Sequence, residues 1–413
     1  LSEKSGPVQL KNQAAEALLM IADKQNDTAA ETKLLEALVR NNPDPELLNA
    51  SLFELAKYYQ ESQHADKALR TLDQIIQNGG TLKDRAILLE AQILLQQKKY
   101  DAVLEVAKPL SASKSALADE AMFYQSVALE KLNRKPAARE LLLSLQKEYP
   151  GSKYLANAQY LAARIAFENQ EFDVAAREFL AFYRQNTADK LAVEALFFAM
   201  QSAWLSGDRP AALQILETFK TKYAQSTFYR DALFQMVDFY RADNKNQEAL
   251  AQLAALEGAY ANDAECMAEI LFCRAQIYAA QKDTDKAQTL LKELLEKYVK
   301  SSFVDDAAFL LASLAADRRD FKTALEYYKR ALELNPSGAQ TSLITGRIAD
   351  CYYEIYCESL EMDDLKKAIE IYRKSADESV VPTVKLQSLY KLGKSLELSD
   401  NLAGALDCYE RIL

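Results

Sequence analysis

Segments with helical periodicity, separated by short polar breaks, follow one another along most of the chain. Within a segment the apolar residues recur three or four positions apart, which places them on one face of a helix. The breaks contain turn residues, as at 133–136, which reads Asn-Arg-Lys-Pro, and at 206–210, which reads Ser-Gly-Asp-Arg-Pro. Because proline is tolerated at the start of a helix, each break predicts a reversal between two helices, called helix A and helix B below.

The two helices form a unit that repeats at a nearly constant interval. Each helix B carries a small residue near its start and a bulky residue four positions later, and the small residues recur every 35 to 38 positions, apart from one interval of 44. They are Ala68, Val103, Ala138, Ala175, Ala212, Ala249, Ala287, Ala324, Ala368 and Ala405. A second small residue usually lies twelve positions earlier, in helix A. Small residues at both positions let two helices approach closely where they cross.

The stretch from Phe321 to Pro336 resembles a tetratricopeptide repeat in its small-residue spacing, its bulky residue and its terminal proline. The resemblance covers almost the whole chain and implies an all-α fold, a right-handed superhelical solenoid of antiparallel helix-turn-helix hairpins. About ten hairpins occupy residues 48–413, the last one truncated in helix B. Residues 1–47 hold a degenerate N-terminal helical hairpin that caps the array. In one unit the small residues lie nineteen positions apart, so an insertion of about seven residues near 357–363 lengthens either helix A or the A–B loop.

The repeats also resemble those of bacterial envelope proteins. Most units have 37 residues rather than about 34, and residues 149–154 read Tyr-Pro-Gly-Ser-Lys-Tyr. Similar repeats occur in outer-membrane assembly lipoproteins and in the periplasmic accessory protein of the Tol-Pal system. The resemblance implies a role in envelope assembly or maintenance and a periplasmic or outer-membrane-associated location, with the cytoplasm as the alternative. The chain starts without Met or a signal-peptide core and stops inside a helical pattern, so we expect the natural chain to be longer.

Composition and charge argue against several classes of protein. The chain has only 10 Gly and 9 Pro among 413 residues, too few turn formers for a multi-stranded sandwich or barrel. It carries 50 basic and 60 acidic residues with no basic run, which argues against nucleic acid as a partner. No apolar stretch approaches the roughly 18 residues of a membrane helix. A membrane is therefore expected to be reached only through a partner or a missing lipid anchor.

No arrangement of residues predicts catalysis. The chain has one histidine, His64, in a polar break, and no Cys-x-x-Cys pair, so a metal site lacks its ligands. Neither Gly-x-Gly-x-x-Gly nor Gly-Lys-Ser/Thr is present, so neither nucleotide-binding motif occurs. The carboxylates alternate with Lys and Arg, as on solvated helix faces. We predict no enzymatic activity, no metal and no cofactor.

One stripe of helix A predicts a binding surface for a protein or peptide partner. If the two small residues of a unit are positions 8 and 20, positions 5, 9 and 12 share one side of helix A. In the tetratricopeptide family this side tends to line the concave groove. Position 5 is aromatic in eight of ten units: Phe53, Leu88, Phe123, Tyr160, Phe197, Phe234, Phe272, Phe309, Gly346 and Tyr390.

Three consecutive units add polar residues and the single tryptophan to this stripe. Their 5/9/12 residues are Tyr160, Arg164, Phe167, Phe197, Gln201, Trp204, Phe234, Asp238 and Arg241. Because Tyr, Trp and Arg are enriched at binding hot spots, we expect these residues to line one stretch of the groove, with Trp204 and Arg164 partly exposed. The alternative is that the aromatic column only packs helices together.

The function predicted from these features is that of a protein–protein interaction scaffold that binds a partner peptide or segment. One alternative is a regulator that senses a short peptide and switches an effector module. The other is a non-catalytic arm of a larger enzyme. A domain outside this sequence would distinguish them.

Overall fold

A computed structural model describes residues 28–40, 45–338, 340–378 and 381–413, and all regular secondary structure in these ranges is α-helical. The chain divides into two compact units, with the boundary between Phe228 and Tyr229. Each unit is an all-α solenoid in which helices that follow one another in sequence pack together. Among the described residues, no helix has both the length and the apolar character needed to cross a bilayer.

The first unit contains eleven complete helices in its described part. After α1, they alternate as helix A and helix B of five hairpins. They are α1 (Thr28–Arg40), α2 (Pro45–Glu61), α3 (Ala65–Asn78), α4 (Lys83–Gln96), α5 (Tyr100–Ser111), α6 (Ala118–Lys131), α7 (Lys135–Glu148), α8 (Leu155–Glu168), α9 (Phe172–Gln185), α10 (Ala192–Leu205) and α11 (Arg209–Lys222). The first half of the hairpin expected before residue 47 lies outside the described residues, and α1 occupies part of its second half.

The second unit holds five further hairpins, and its first helix begins two residues before the boundary. Its helices are α12 (Thr227–Ala242), α13 (Asn246–Tyr260), α14 (Ala264–Ala280), α15 (Thr284–Lys297), α16 (Val304–Asp317), α17 (Phe321–Leu334), α18 (Thr341–Ser359), α19 (Met362–Glu378), α20 (Pro382–Leu398) and α21 (Leu402–Glu410). The helices with even numbers are helices A, and those with odd numbers are helices B.

The small residues of helix B lie where the repeat pattern places them, at the centre of each hairpin. All ten are buried, nine of them with no exposed surface and Ala405 with 3%. Their partners in helix A, such as Ala163 and Ala312, are also fully buried. Larger apolar residues one turn away, such as Phe179 and Leu291, fill the space beside these crossings and are buried as well. The core is therefore a row of helix crossings rather than one central cluster.

Each of the ten A–B turns contains one residue with a left-handed backbone. The residues in these positions are Gln63, Lys98, Asn133, Gln170, Gly207, Asn244, Lys282, Arg319, Leu360 and Asp400, with φ between 57° and 92°. This conformation ends helix A abruptly, so that helix B can start within three residues. In several hairpins an Asp then caps helix B, as Asp320 does by accepting a hydrogen bond from the Thr323 backbone N–H at 3.2 Å.

The seven extra residues of the ninth hairpin are absorbed by its helices and not by its loop. Helix α18 continues ten residues past Ala349, whereas α16 continues five residues past the equivalent Ala312. Helix α19 starts six residues before Ala368, whereas α17 starts three before Ala324. Only residues 360–361 join α18 to α19. The hairpin is thus about one turn longer in both of its helices, and its tip exposes Leu360, which has 72% of its surface accessible.

Candidate functional site

The predicted stripe of the first unit is largely packed into the hairpins. Tyr160 in α8 is only 7% exposed, and its ring lies edge-on to Phe179 and Phe182, each at 5.6 Å between ring centroids. Burial, followed by a hydrogen bond to Glu194, raises the pKa of the Tyr160 phenol. The expectation that Tyr160 lines a groove is therefore wrong, because the next helix B covers its ring.

Trp204 in α10 is also buried, contrary to the expectation of partial exposure. Only 3% of its surface is accessible. The guanidinium of Arg209 lies 4.1 Å from the centre of the indole ring, and the same group donates a hydrogen bond to the Trp204 backbone carbonyl. A cation stacked on the ring face takes the place that a binding partner would need. Trp204 thus stabilises the turn between α10 and α11.

Arg164 is partly exposed, as expected, but its charge is already paired. Its side chain is 35% exposed and lies 3.0 Å from the Glu130 carboxylate and 3.6 Å from that of Glu168. Lys135 also contacts Glu168, at 3.1 Å. These pairs join α8 to the preceding hairpin. A partner that binds Arg164 would have to displace an existing network.

The remaining members of the stripe are half-buried or exposed. Phe167 lies 5.4 Å from Phe198, and Phe197 lies 5.9 Å from Phe228, between ring centroids. Gln201 is half-buried. In these hairpins the aromatic column thus contributes to packing, which was the alternative reading.

In the second unit Phe234 is half-buried and Asp238 is exposed. Asp238 and Arg241 form a weak pair at 3.4 Å within α12.

A cavity opens on the same stripe of helix A further along the second unit, in the last three hairpins. It has a volume of about 480 Å³. Positions 5, 9 and 12 of α16, α18 and α20 supply seven of its lining residues: Phe309, Ser313, Ala316, Asp350, Tyr353, Tyr390 and Lys394. A second cavity of about 290 Å³ adjoins it and shares four lining residues, Arg347, Asp350, Tyr372 and Lys391. The two cavities together are called the Asp350 slot below.

A glycine opens this slot. Gly346 occupies position 5 of α18, where most other units have an aromatic ring, and it lines the smaller cavity. A Cβ atom added to Gly346 would have no other atom within 4 Å. The missing side chain therefore leaves space that no neighbouring residue fills.

Asp350 is the centre of the polar contacts in the slot. Its Oδ1 accepts a hydrogen bond from the Tyr372 hydroxyl and another from the Lys391 Nζ, both at 2.6 Å. The Arg347 guanidinium lies 3.5 Å from Oδ2. Burial and the negative charge of Asp350 raise the pKa of the Tyr372 phenol. The carboxylate thus connects helices α18, α19 and α20 and holds the floor of the slot in place.

The side chains that could do chemistry lie apart from one another. No group of three or more His, Cys, Asp or Glu side chains in the described part of the chain is arranged to hold a metal ion. His64 is exposed just before α3. Cys351 lines the slot, but burial raises the pKa of its thiol to about 12, which keeps it protonated at neutral pH. The slot therefore offers rings, charges and hydrogen-bonding groups for binding.

Comparisons with known proteins agree with the repeat pattern. One family model described as a tetratricopeptide repeat matches residues 160–227 and 272–339, and a second matches residues 120–152. A search of curated proteins finds no match to this sequence.

Solved structures with a similar fold include three helical proteins. Naa15/Naa10 bound to HypK-THB is 16% identical with a TM-score of 0.45, and the match covers 88% of this chain and 58% of that one. The C-terminal part of a repeat-containing protein from Cytophaga hutchinsonii is 16% identical with a TM-score of 0.43, covering 62% and 97%. The apo form of RapI is 14% identical with a TM-score of 0.45, covering 80% and 96%. Our chain therefore spans little more than half of the first of these chains.

Proposed function

We infer from the chain's membership of the tetratricopeptide repeat family that it is a protein-interaction scaffold, and we propose that a partner segment binds in the Asp350 slot. The observation that carries this proposal is the cavity of about 480 Å³ on the 5/9/12 stripe of three successive helices A. Pockets that bind small molecules or anchoring side chains have volumes of about 300–1,000 Å³. The slot is thus large enough to bury one or two side chains of a partner.

The walls of the slot have the composition of a binding surface. Six aromatic rings line the larger cavity: Phe309, Phe321, Tyr328, Tyr353, Tyr372 and Tyr390. Tyr390 is 54% exposed, which leaves its ring free to cover a bound side chain. Aromatic and arginine side chains around a pocket are typical of the centre of protein interfaces. Because three separate helices line the slot, an extended segment that crosses them would contact each one.

The stripe of the first unit is proposed only as a secondary contact surface. Phe167, Gln201 and Arg164 keep part of their surface, whereas Trp204 and Tyr160 are buried and are not part of it. A partner there would gain little from Arg164, because exchanging one ion pair for another changes the binding free energy by only about 1 kcal/mol.

The cellular setting is a separate proposal. We propose a role in bacterial envelope assembly or maintenance, with a periplasmic or outer-membrane-associated location, from the 37-residue units and the junction at 149–154. Fractionation of cells that express the natural full-length protein tests this, and recovery of the protein only in the cytoplasm would contradict it.

The binding proposal is tested with a partner-independent screen. A phage-displayed library of random twelve-residue peptides (a length of about 40 Å when extended) is selected on the purified chain, and affinities are measured by fluorescence anisotropy. We expect Gly346→Phe to weaken the selected peptides at least about tenfold, because the new ring occupies the slot. Gly258→Phe is the matched control, since Gly258 is also a helical glycine with no atom within 4 Å of an added Cβ. Equal affinities for both variants and the unchanged chain would refute the proposal.

A further inference from the structure

The charged side chains of the Asp350 slot are separated by sign along the direction of helices A. These helices run in the same direction, because the short connections make successive helices antiparallel. Arg347 and Lys391 occupy position 6 of α18 and α20, and Lys394 occupies position 9. Asp317 and Glu354 occupy position 13 of α16 and α18, at the other end of the slot. On α18 the seven residues between Arg347 and Glu354 correspond to about 10 Å along the helix.

The carboxylate in the middle of the slot does not change this polarity. Asp350 lies close to the positive end, but it accepts hydrogen bonds from Lys391 and Tyr372 and faces Arg347. Its single negative charge is therefore compensated within the protein. The positive end keeps an excess of positive charge through Arg347 and Lys394.

The charges at the two ends are available to a partner. The Arg347 side chain is 52% exposed and that of Lys394 is 46% exposed. Glu354 is 39% exposed and its closest cation, Arg319, is 3.9 Å away. Lys394 contacts Glu397 at 3.0 Å on the surface of α20. Because exposed pairs of this kind contribute little, a ligand charge that enters the partly enclosed slot can replace them.

We propose that the slot selects a peptide segment that carries opposite charges three residues apart, on either side of an apolar side chain. In an extended peptide three residues span about 10 Å, which matches the separation of the two charged ends. The acidic side chain would face Arg347 and Lys394, and the basic one would face Glu354 and Asp317. The apolar side chain would enter the aromatic walls between them. This inference rests on the proposed function, since it specifies the partner of the same slot.

The test uses three labelled peptides that differ only in charge: Gly-Glu-Leu-Tyr-Lys-Gly, Gly-Glu-Leu-Tyr-Glu-Gly and Gly-Lys-Leu-Tyr-Lys-Gly, each blocked at both ends. We expect the mixed-charge peptide, in this order or with Glu and Lys exchanged, to bind at least about fivefold more tightly than the other two. Glu354→Lys should shift the preference to the peptide with two Glu. Arg347→Glu should shift it to the peptide with two Lys. Circular dichroism and urea unfolding of both variants check that the fold is intact, and the milder Glu354→Gln and Arg347→Gln variants replace any that unfolds.

The outcomes separate this inference from the proposed function. If the peptides selected from the random library depend on the slot, by the Gly346→Phe test, yet show no charge pattern and respond equally to both charge reversals, the slot binds partners but the inference is wrong. If no peptide of either set depends on Gly346, both the inference and the binding proposal are wrong. A preference that reverses with Glu354→Lys supports the inference.

Discussion

Two glycines in neighbouring helices A are expected to respond in opposite ways to the same substitution. Gly346 in α18 faces open space, and an added Cβ would meet no atom within 4 Å. Gly393 in α20 lies against a ring, and an added Cβ would come within 2.6 Å of Tyr409 Cε1 and 2.8 Å of Tyr409 Cζ. Distances this short force the ring to move. The pair thus tests the emptiness of the slot by stability alone.

The size of each effect follows from the helix and from the ring. Replacing a glycine inside a helix by alanine stabilises a protein by about 0.5–1 kcal/mol when nothing is in the way. We expect Gly346→Ala to gain this amount. Gly393→Ala gains the same helix term but pushes the Tyr409 ring away, which costs about 1–3 kcal/mol and strains the hydrogen bond from the Tyr409 hydroxyl to Glu397 at 2.9 Å. The two variants should therefore differ by about 1–3 kcal/mol.

Urea unfolding followed by far-ultraviolet circular dichroism measures the difference. We expect the midpoint to rise for Gly346→Ala and to fall or stay unchanged for Gly393→Ala. In a Tyr409→Ala background the ring is absent, so Gly393→Ala should become stabilising as well. A loss of stability in Gly346→Ala would show that the slot is filled, and equal gains in both variants would show that the ring does not lie against Gly393.

Two further predictions concern the buried core. Burial, together with the negative charge of Asp73, raises the pKa of Glu90 from 4.5 to about 7, so its contribution to stability is present below pH 4.5 and is lost as the pH rises through about 7; Glu90→Gln should remove this loss, and unfolding midpoints measured between about pH 5 and 8 would contradict it if both chains had the same slope. Ala324→Leu should cost about 1–3 kcal/mol by overpacking a helix crossing, whereas Lys322→Leu on the exposed side of the same helix should stay within about 0.5 kcal/mol, and equal costs would show that the repeat register is wrong.

The hairpins could be predicted from the sequence because their signal is local and repeated. A small residue at a crossing is required wherever two helices approach closely, so Ala175 and Ala324 occupy the same place in different hairpins and both are fully buried. Ten occurrences at nearly equal spacing define the register even though single positions vary. Val103 takes the place of an alanine without any exposure. Each hairpin packs only on its neighbours, so no distant contact has to be known.

The binding stripe was placed on the correct side of helix A but in other hairpins than the slot. Whether a ring at position 5 lines a groove depends on what the adjacent helices place over it, and this is not encoded at the position itself. Tyr160 and Trp204 are covered by Phe179 and Arg209, which lie outside the stripe. Looking for the most conspicuous side chains therefore selected residues that pack. The signal that pointed to the slot was the absent side chain at Gly346.

The departures from the repeat coincide in one hairpin, and this coincidence argues for function more strongly than any single residue. The α18–α19 hairpin has glycine at position 5, about seven extra residues, and Leu360 at a turn position where the other hairpins have glycine or a polar residue. Each change has a cost: glycine weakens a helix by up to about 1 kcal/mol, and a bulky apolar residue with a left-handed backbone costs about 1–2 kcal/mol. A unit under selection for packing alone would have no reason to keep them together. Because each repeat contacts only its neighbours, the array can tolerate one irregular unit, and the space that this unit leaves open is where a partner can bind.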